Sequence, residues 1–343
     1  MPAETKWLFD MKNSLLNLME RCKKGNRSTI NLGPFLSIIR MHEMGLQFND
    51  VLCNADDMAA IALSNLDFGF ESTVLPIDLN VEAEVLGAQV RYYEEIDGNP
   101  IYPTIARKWV SKADDIVIPE NIAGQGRLPA ITRCIKMVKD RAAGHGAVGV
   151  FIPGPFTLAG QLMDMDELFI MVLKKPEVTQ EIFDRLKEFL IRLREVYINA
   201  GVDFIVVEEG GATTISPAAF RKILFPYLKE IFSEKKVPHG LSLTGSADKF
   251  LELMLECQPD GVGIDQETDI DHSRQIIPGG MPLFAVCGDY TMLAQSTPQE
   301  VEKTVKTVLD KGVTGVTPPA DVYPPAKLEN IEAFVSAVRE YNN

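Results

Sequence analysis

The chain has 343 residues, a net charge of −14 at pH 7 and an apolar share of 46%. This apolar share is ample for a packed core and excludes a disordered chain. The negative charge argues against nucleic-acid binding, which needs clustered Lys and Arg, and against attraction to anionic membrane surfaces.

The sequence carries no signal for secretion or membrane insertion. The N-terminus lacks a basic segment followed by an apolar one, and no run approaches the roughly 20 apolar residues of a membrane span. The five cysteines are isolated and have no CxxC spacing, which is typical of reduced thiols. These features predict a cytoplasmic protein that binds neither membranes nor nucleic acids.

The first third of the chain is predicted to form helices and a β-hairpin. Apolar residues recur at helical spacing over residues 4–24, and a second helix is predicted over 54–65 with acidic residues in its first turn. Residues 71–103 are strand-like, and Asp97-Gly98 is a hairpin turn signal. We therefore expect a helical and β-hairpin extension over residues 1–126.

From residue 127 onward, apolar strands alternate with amphipathic helices. Ser216-Pro217 is typical of a helix start, with an N-cap serine before a proline. The alternation predicts a parallel sheet, and the number of units predicts an α/β fold, the (β/α)8 TIM barrel, with its site at the carboxyl ends of the strands. We expect a single domain over residues 1–343, with the barrel core over 127–343. The predicted strands are 148–152, 202–207, 237–243, 261–265 and 283–287, and the predicted helices are 176–200, 247–257, 270–276, 298–311 and 327–340.

Carboxyl groups stand where two of these strands end. Glu208 and Glu209 end one strand, and because adjacent strand residues face opposite ways, only one of them can point into the barrel mouth. Asp265 ends another strand. Its carboxylate is either a functional group of the site or a structural acceptor that caps a helix or binds a loop.

Short phrases occur in a fixed order along the chain. They are Asp78–Gly87 (D-x-x-x-E-A-E-x-x-G), Pro153–Leu158 (containing G-P-F-T-L), Ile215–Pro217, Gly263–Asp265, Gly288-Asp289 and Leu328–Asn330. This ordered set resembles the uroporphyrinogen decarboxylase superfamily, which also contains corrinoid-dependent methyltransferases. The resemblance runs over essentially the whole chain and implies a (β/α)8 barrel.

The decarboxylase branch of this superfamily holds its porphyrinogen with an N-terminal arginine pair. The corresponding region here, residues 31–40, contains no such pair. The family's pocket tyrosine aligns with Gln161 and its C-terminal histidine with Ala320, so that only Asp78 of this set is retained. The resemblance therefore does not favour a porphyrinogen decarboxylase.

The methylcobamide:coenzyme M branch binds its thiol acceptor with zinc. Zinc of this kind needs Cys and His ligands at fixed spacing. The matching positions here are Ser242, Thr244 and Ala320, which supply two hydroxyls and a methyl group. The thiol branch is weakened as well.

The remaining branch moves a methyl group from a small donor to a corrinoid. Members that resemble this chain demethylate methoxylated aromatics, and the acceptor is the Co(I) corrinoid (cobalamin) of a carrier protein. The resemblance thus implies a methyltransferase that acts as an O-demethylase component. The alternatives are a methylcobamide:thiol methyltransferase, a uroporphyrinogen-type decarboxylase and, in another class, a noncatalytic binding protein on the same barrel.

Candidate site residues follow from this resemblance and from positions at or after the ends of the predicted strands. Glu209 aligns with the family's active-site acid and is interpreted as a general acid or metal ligand, although a solvated loop carboxylate is the alternative. Asp265 and Asp78 are the other catalytic candidates. The predicted substrate-binding residues are Phe156, Gln161, Ser242, Thr244, Asp289, Tyr290 and Tyr323.

An atypical metal site is a further hypothesis. Glu209, His239 and Cys287 are its candidate ligands, although no spacing motif supports them. His239 lies early on its strand, which favours a histidine in the core or at the barrel floor. The sequence leaves open both the presence of zinc and the assembly of the chain as a homodimer.

Overall fold

The computed structural model describes residues 27–29, 37–289, 291–319 and 326–342. The strands in this part of the chain are short, and most are fully buried. They are β1 (Ser28–Thr29), β2 (Ser72–Leu75), β3 (Val90–Arg91), β4 (Thr104–Ile105), β5 (Ala147–Pro153), β6 (Phe204–Glu209), β7 (His239–Leu243), β8 (Gly261–Ile264), β9 (Leu283–Val286) and β10 (Gly315–Thr317).

Eight of the described strands form one parallel sheet in the order β1-β10-β9-β8-β7-β6-β5-β2. The two end strands approach each other, because the N–H of Glu71 donates to the carbonyl oxygen of Thr29 at 3.0 Å. The sheet is therefore a nearly closed barrel, and the predicted (β/α)8 fold is confirmed.

Helices cover the outside of this sheet. Many begin with a cap or a proline in the first turn, as at Ser216-Pro217, where the Ser216 hydroxyl accepts from the N–H of Ala219. The α-helices are Ile38–Glu43, Phe48–Cys53, Ala55–Phe68, Val81–Val85, Leu128–Ala142, Pro155–Leu162, Met165–Lys174, Pro176–Ala200, Pro217–Ala219, Phe225–Ile231, Leu251–Glu256, Ile270–Ile276, Met292–Gln295, Pro298–Asp310 and Leu328–Tyr341.

The barrel begins earlier in the chain than the sequence suggested. Strands β1 and β2 lie in the segment assigned to the extension, yet β1 pairs with β10 and β2 with β5 in the main sheet. Strand β1 has only two residues, too few for a strand pattern, and β2 was grouped with the hairpin that follows it. The helix expected over residues 4–24 lies outside the described residues.

The expected hairpin is present. Strands β3 and β4 pair antiparallel, and an isolated bridge joins Ile96 to Asn99. Asp97 and Gly98 between them have φ values of 51° and 71°. Two adjacent positive φ values are the mark of a type I′ turn, for which Asp-Gly is a favoured pair.

The inside of the barrel is filled by a small apolar cluster. Its members, contributed by alternate positions of four strands, are Val74, Ala147, Phe151, Phe204, Val206 and Phe284. A much larger core lies between the strands and the surrounding helices. The strands of the eight-stranded sheet are therefore largely buried on both faces, as expected for a parallel barrel. No helix in the described part of the chain is long and apolar enough to cross a membrane.

The packing inside the barrel predicts a specific intolerance at Gly149. A Cβ at this position would lie 2.3 Å from the ring of Phe204, whereas a Cβ at Gly280 would have no neighbour within 4 Å. We expect Gly149→Ala to lower the free energy of unfolding by about 1–3 kcal/mol, because the buried ring has to shift. Urea denaturation measures this change, with Gly280→Ala as the control; equal stability of the two variants would contradict the packing.

Candidate functional site

The carboxyl ends of the barrel strands open onto a cavity of about 560 Å³. This is the end of the barrel where sites of this fold occur, and the volume is typical of small-molecule pockets. The polar side chains of the lining are Asp78, Asn80, Thr157, Glu208, Ser242, Thr244, Asp265, Gln266 and Thr317. The apolar walls come from Tyr102, Phe151, Leu243, Ile264, Phe284 and Pro318.

Glu208 provides the carboxyl group that β6 presents to the cavity. Phe204 and Val206 fill the barrel interior, and the two-residue period of the strand places Glu208 on the same side. The Thr244 hydroxyl donates to the Glu208 carboxylate. Burial raises the pKa of Glu208 above its ordinary value, whereas its hydrogen bonds with Ser242 and Thr244 lower it. This group can therefore hold a proton inside the cavity.

Glu209 points the other way, so the sequence-based choice between the two glutamates was wrong. Its carboxylate is fully buried behind the strand and accepts from the N–H groups of Phe156 and Thr157 at 3.1 and 2.9 Å. The Thr157 hydroxyl also donates to it, at 2.8 Å. Glu209 thus satisfies the first free N–H groups of helix Pro155–Leu162 and joins that helix to β6. Burial raises the pKa of Glu209 to about 7.

Asp265 lines the cavity and also accepts hydrogen bonds from the loops that follow β7 and β8. Its carboxylate accepts from the N–H of Gly245 at 3.0 Å and from its neighbour Gln266 at 2.7 Å. Both interpretations of this residue, a site carboxylate and a loop acceptor, therefore describe its position. Ser242 and Thr244, which the sequence interpretation names as substrate-binding residues, also line the cavity.

Asp78 lies at the cavity wall inside an ion-pair network. The Arg127 guanidinium donates to both Asp78 oxygens, and its Nε donates to Glu84 at 2.8 Å. The same guanidinium lies 5.7 Å from the ring centroid of Tyr92. One cation is thus shared by two carboxylates, which fixes the Asp78 side chain at the edge of the cavity.

Glu82 lies next to this network and is fully buried. The Tyr197 hydroxyl donates to one of its oxygens at 3.4 Å, and the other oxygen has no hydrogen-bond partner among the described residues. Burial raises the pKa of Glu82 to about 8, and the nearby Asp78 charge acts in the same direction. A protonated carboxyl group therefore fits this position at neutral pH.

Several predicted substrate-binding residues do not line the cavity. Phe156 is buried in the core against Phe169 and Phe183. Gln161 donates to the carbonyl oxygen of Leu79 behind the cavity wall, and Asp289 is an exposed acceptor for Thr291 in its own turn. Two further candidates, Tyr290 and Tyr323, lie outside the described residues.

The proposed metal ligands are not brought together. His239 begins β7 at the amino end of the barrel, where burial lowers its pKa to about 4. Cys287 is buried outside the cavity lining, and burial raises the pKa of its thiol to about 12. Within residues 27–29, 37–289, 291–319 and 326–342, no group of three His, Cys, Asp or Glu side chains could hold a metal ion.

The donor atoms at the end of β7 also do not fit a thiol-binding zinc. Ser242 and Thr244 offer hydroxyl oxygens, and their neighbours Glu208 and Asp265 offer carboxyl oxygens. Zinc that binds and deprotonates a thiol needs sulfur or imidazole ligands. The described groups at the end of β7 are therefore hydrogen-bonding groups rather than the ligands of a thiol-binding zinc.

The sequence interpretation missed Glu208, Arg127 and the aromatic walls of the cavity. The alternation of side chains along β6 allowed either glutamate to face the cavity, and the resemblance to the family favoured Glu209, which faces away from it. Arg127 is far from Asp78 in the chain, and no local pattern joins them. Phe151 and Phe284 are ordinary apolar strand residues until the barrel closes around them.

Fold and cavity together define an α/β-barrel protein with a cavity of small-molecule size at the carboxyl end of its strands. The family model of uroporphyrinogen decarboxylase (URO-D) matches residues 13–341. The chain therefore belongs to the uroporphyrinogen decarboxylase family.

Relatives in this family carry out two kinds of reaction. The methylcobamide:CoM methyltransferase MtaA of Methanosarcina barkeri is 24% identical over 305 residues, covering 88% of this chain and 89% of that protein. The uroporphyrinogen decarboxylase of Myxococcus xanthus is 25% identical over 311 residues, covering 84% and 86%. A methyltransferase structure from Methanosarcina mazei superposes with a TM-score of 0.88 at 21% identity, over 97% of this chain and 100% of its own. The resemblance to the corrinoid-dependent methyltransferase branch is confirmed.

The burial of Glu82 predicts a pH dependence of stability. Because its folded-state pKa of about 8 exceeds the ordinary 4.5, the folded protein binds the extra proton, and stability falls as pH rises from 4.5 through 8. In Glu82→Gln this loss is absent. We expect the stability of the variant relative to wild type to increase by roughly 3 kcal/mol between pH 5 and pH 8.

Urea denaturation at the two pH values measures this difference. Glu332→Gln, which changes an exposed carboxyl group on the C-terminal helix, serves as the control. If the stabilities of Glu82→Gln and Glu332→Gln changed equally between the two pH values, Glu82 would not be a buried proton-binding group.

Proposed function

We propose that this protein is a corrinoid-dependent methyltransferase that takes a methyl group from a methoxylated aromatic donor. The observation that carries the proposal is the buried carboxyl group of Glu208 at the polar side of a cavity with aromatic walls, where burial raises its pKa. The methyltransferases among the relatives support the reaction class. The Co(I) corrinoid of a carrier protein, a second substrate, supplies the nucleophile that accepts the methyl group.

The cavity offers what cleavage of a methyl ether requires. The bond between the ether oxygen and the methyl carbon breaks, the methyl carbon bonds to cobalt, and the electron pair of the broken bond stays on oxygen. Glu208 donates its proton to that oxygen, so that a neutral phenol leaves. Burial favours the protonated form of Glu208 that this step needs.

The other polar groups orient the donor and the acid. The Thr244 hydroxyl, bonded to Glu208, fixes the direction of its carboxyl group. Tyr102, Phe151 and Phe284 line the walls and can pack against an aromatic ring. This arrangement holds the ether oxygen beside the acid and leaves the methyl group toward the open end of the barrel, where the carrier protein would dock.

The cavity does not favour porphyrinogen decarboxylation. That substrate carries several carboxylates, which need cationic partners. Among the described residues that line the cavity there is no Lys, Arg or His. Arg127, the nearby guanidinium, is already paired with Asp78 and Glu84.

Methyl transfer between methylcobamide and a thiol is a second candidate. Relatives named methylcobamide:CoM methyltransferase and methylated-thiol–coenzyme M methyltransferase favour it. The hydroxyl and carboxyl groups at the end of β7 do not provide the ligands that a thiol-binding zinc requires. Metal analysis of the purified protein, with coenzyme M as a test acceptor, separates the candidates: stoichiometric zinc and methylation of the thiol would favour the second.

Further expectations attach to the proposal. The protein would act in the cytoplasm with a separate corrinoid carrier, and assembly as a homodimer stays open, as it was from the sequence.

The reaction is tested with the whole chain, a reduced corrinoid carrier and a panel of methoxylated aromatics. We expect methoxyphenols to convert the Co(I) spectrum to that of methyl-Co(III), with release of the demethylated phenol. Absence of both signals across the panel would contradict the proposal.

The role of Glu208 is tested by its amide variant. Glu208→Gln is expected to lower kcat by about 10²- to 10⁴-fold, since the amide cannot donate the proton. In wild type the rate should fall as pH rises through the pKa of Glu208, which burial places above the ordinary carboxyl range. This limb of the pH–rate profile should vanish in Glu208→Gln.

Glu209→Gln is the matched comparison. It changes the adjacent buried carboxyl group, which holds a helix N-terminus and does not line the cavity. We expect this variant to lose stability but to keep the fall in rate with rising pH that wild type shows. A limb that vanished in Glu209→Gln and persisted in Glu208→Gln would reverse the assignment.

A further inference from the structure

The ionisable side chains in the described lining of the cavity are all acidic. Its described lining contains three carboxyl groups, on Asp78, Glu208 and Asp265, and no basic side chain. A bound molecule therefore meets hydrogen-bonding groups and carboxyl groups, but no cationic side chain, in the described lining.

The ion pair at the cavity wall does not make the net charge around the cavity positive. Arg127 carries one positive charge and is shared between Asp78 and Glu84, so the three groups together keep one negative charge. Its guanidinium is 7% exposed and its donors are directed to these carboxylates and to the Leu52 carbonyl oxygen. Arg127 therefore cannot turn to a carboxylate of a ligand without leaving Asp78 and Glu84 unpaired in a buried site.

Asp265 contributes a second negative charge. Its carboxylate accepts two backbone N–H groups and is only partly buried at the cavity surface. No described side chain forms a salt bridge with it, and its charge raises the proton affinity of Glu208 nearby. An anionic group brought into the cavity would meet this charge at close range.

We propose that the cavity selects methyl donors without a carboxylate, so that the substrates are neutral methoxyphenols and related uncharged methoxyarenes rather than methoxybenzoates. The inference rests on the proposed function and narrows its substrate class. Like charges placed together in a desolvated site are strongly disfavoured, which corresponds to a loss of about 100-fold or more in affinity. The same repulsion explains why the leaving oxygen needs a proton: a phenolate product would itself be an anion among carboxylates.

The test compares two donors of nearly equal size and shape. 4-Hydroxy-3-methoxybenzamide is neutral, and 4-hydroxy-3-methoxybenzoate differs by replacing the amide with a carboxylate. With the whole enzyme and a reduced corrinoid carrier, we expect kcat/KM for the amide to exceed that for the carboxylate by about 100-fold. A ratio within about threefold, or a preference for the carboxylate, would overturn the inference.

The residue responsible is tested by removing one charge at a time. Asp265→Asn keeps an acceptor for the Gly245 N–H but removes the negative charge. We expect this variant to lower the ratio of kcat/KM for the amide to kcat/KM for the carboxylate by about 10-fold. Asp114→Asn removes an exposed charge that does not line the cavity and should leave the ratio unchanged. Equal ratios in the two variants would contradict a role for Asp265.

Direct binding separates failure of this inference from failure of the proposed reaction. If neither donor is demethylated, the proposed function fails, and calorimetric binding of the same two compounds decides about charge selection. Tighter binding of the amide supports the inference, whereas equal binding, or binding of neither, overturns it.

Discussion

The direction of two adjacent side chains on strand β6 determines how this molecule is built around its cavity. Hydrogen bonding to β5 and β7 fixes the register of β6, and the pleat then turns Glu208 inward and Glu209 outward. The outward group binds the N-terminus of helix Pro155–Leu162, and the inward group receives the Thr244 hydroxyl. A one-residue shift in the register of β6 would turn Glu208 outward and Glu209 inward. The register of this strand is therefore as important to the site as the identity of its residues.

Four carboxyl groups are buried near one end of the barrel, and each is accommodated differently. Asp78 is paired with Arg127, Glu209 accepts three hydrogen bonds at a helix start, and Glu208 has two hydroxyl neighbours. Glu82 has only Tyr197 as a donor from a side chain, which favours its neutral form. Desolvating so many acidic groups opposes folding. The large apolar core around the barrel offsets this cost, while the cavity gains a group that can hold a proton.

The sequence was most informative where a pattern repeats or a cap has its own signature. The strand–helix alternation predicted the barrel, and Asp97-Gly98 and Ser216-Pro217 predicted a turn and a helix start that the structure confirms. Four of the candidate site residues, Asp78, Ser242, Thr244 and Asp265, line the cavity. Ser28–Thr29 escaped notice because a two-residue strand has no period of its own.

The failures have one physical origin, namely contacts between residues distant in the chain. Alternation tells that Glu208 and Glu209 face opposite ways, but only barrel closure decides which side is the inside. Phe156 follows the Gly154-Pro155 turn near the mouth, yet its ring packs outward against Phe183 rather than into the cavity. Arg127 reaches Asp78 across 49 positions of sequence. Local patterns do not contain such information.

We propose that Glu208, and not Glu209, faces the bound donor. Carbon-13 NMR of glutamate carboxyl carbons, assigned with Glu208→Gln and Glu209→Gln, tests this orientation most directly during titration with a methoxyphenol. We expect the resonance absent from Glu208→Gln to shift on binding while the resonance of Glu209 stays in place. A shift confined to the Glu209 resonance would contradict the proposed orientation.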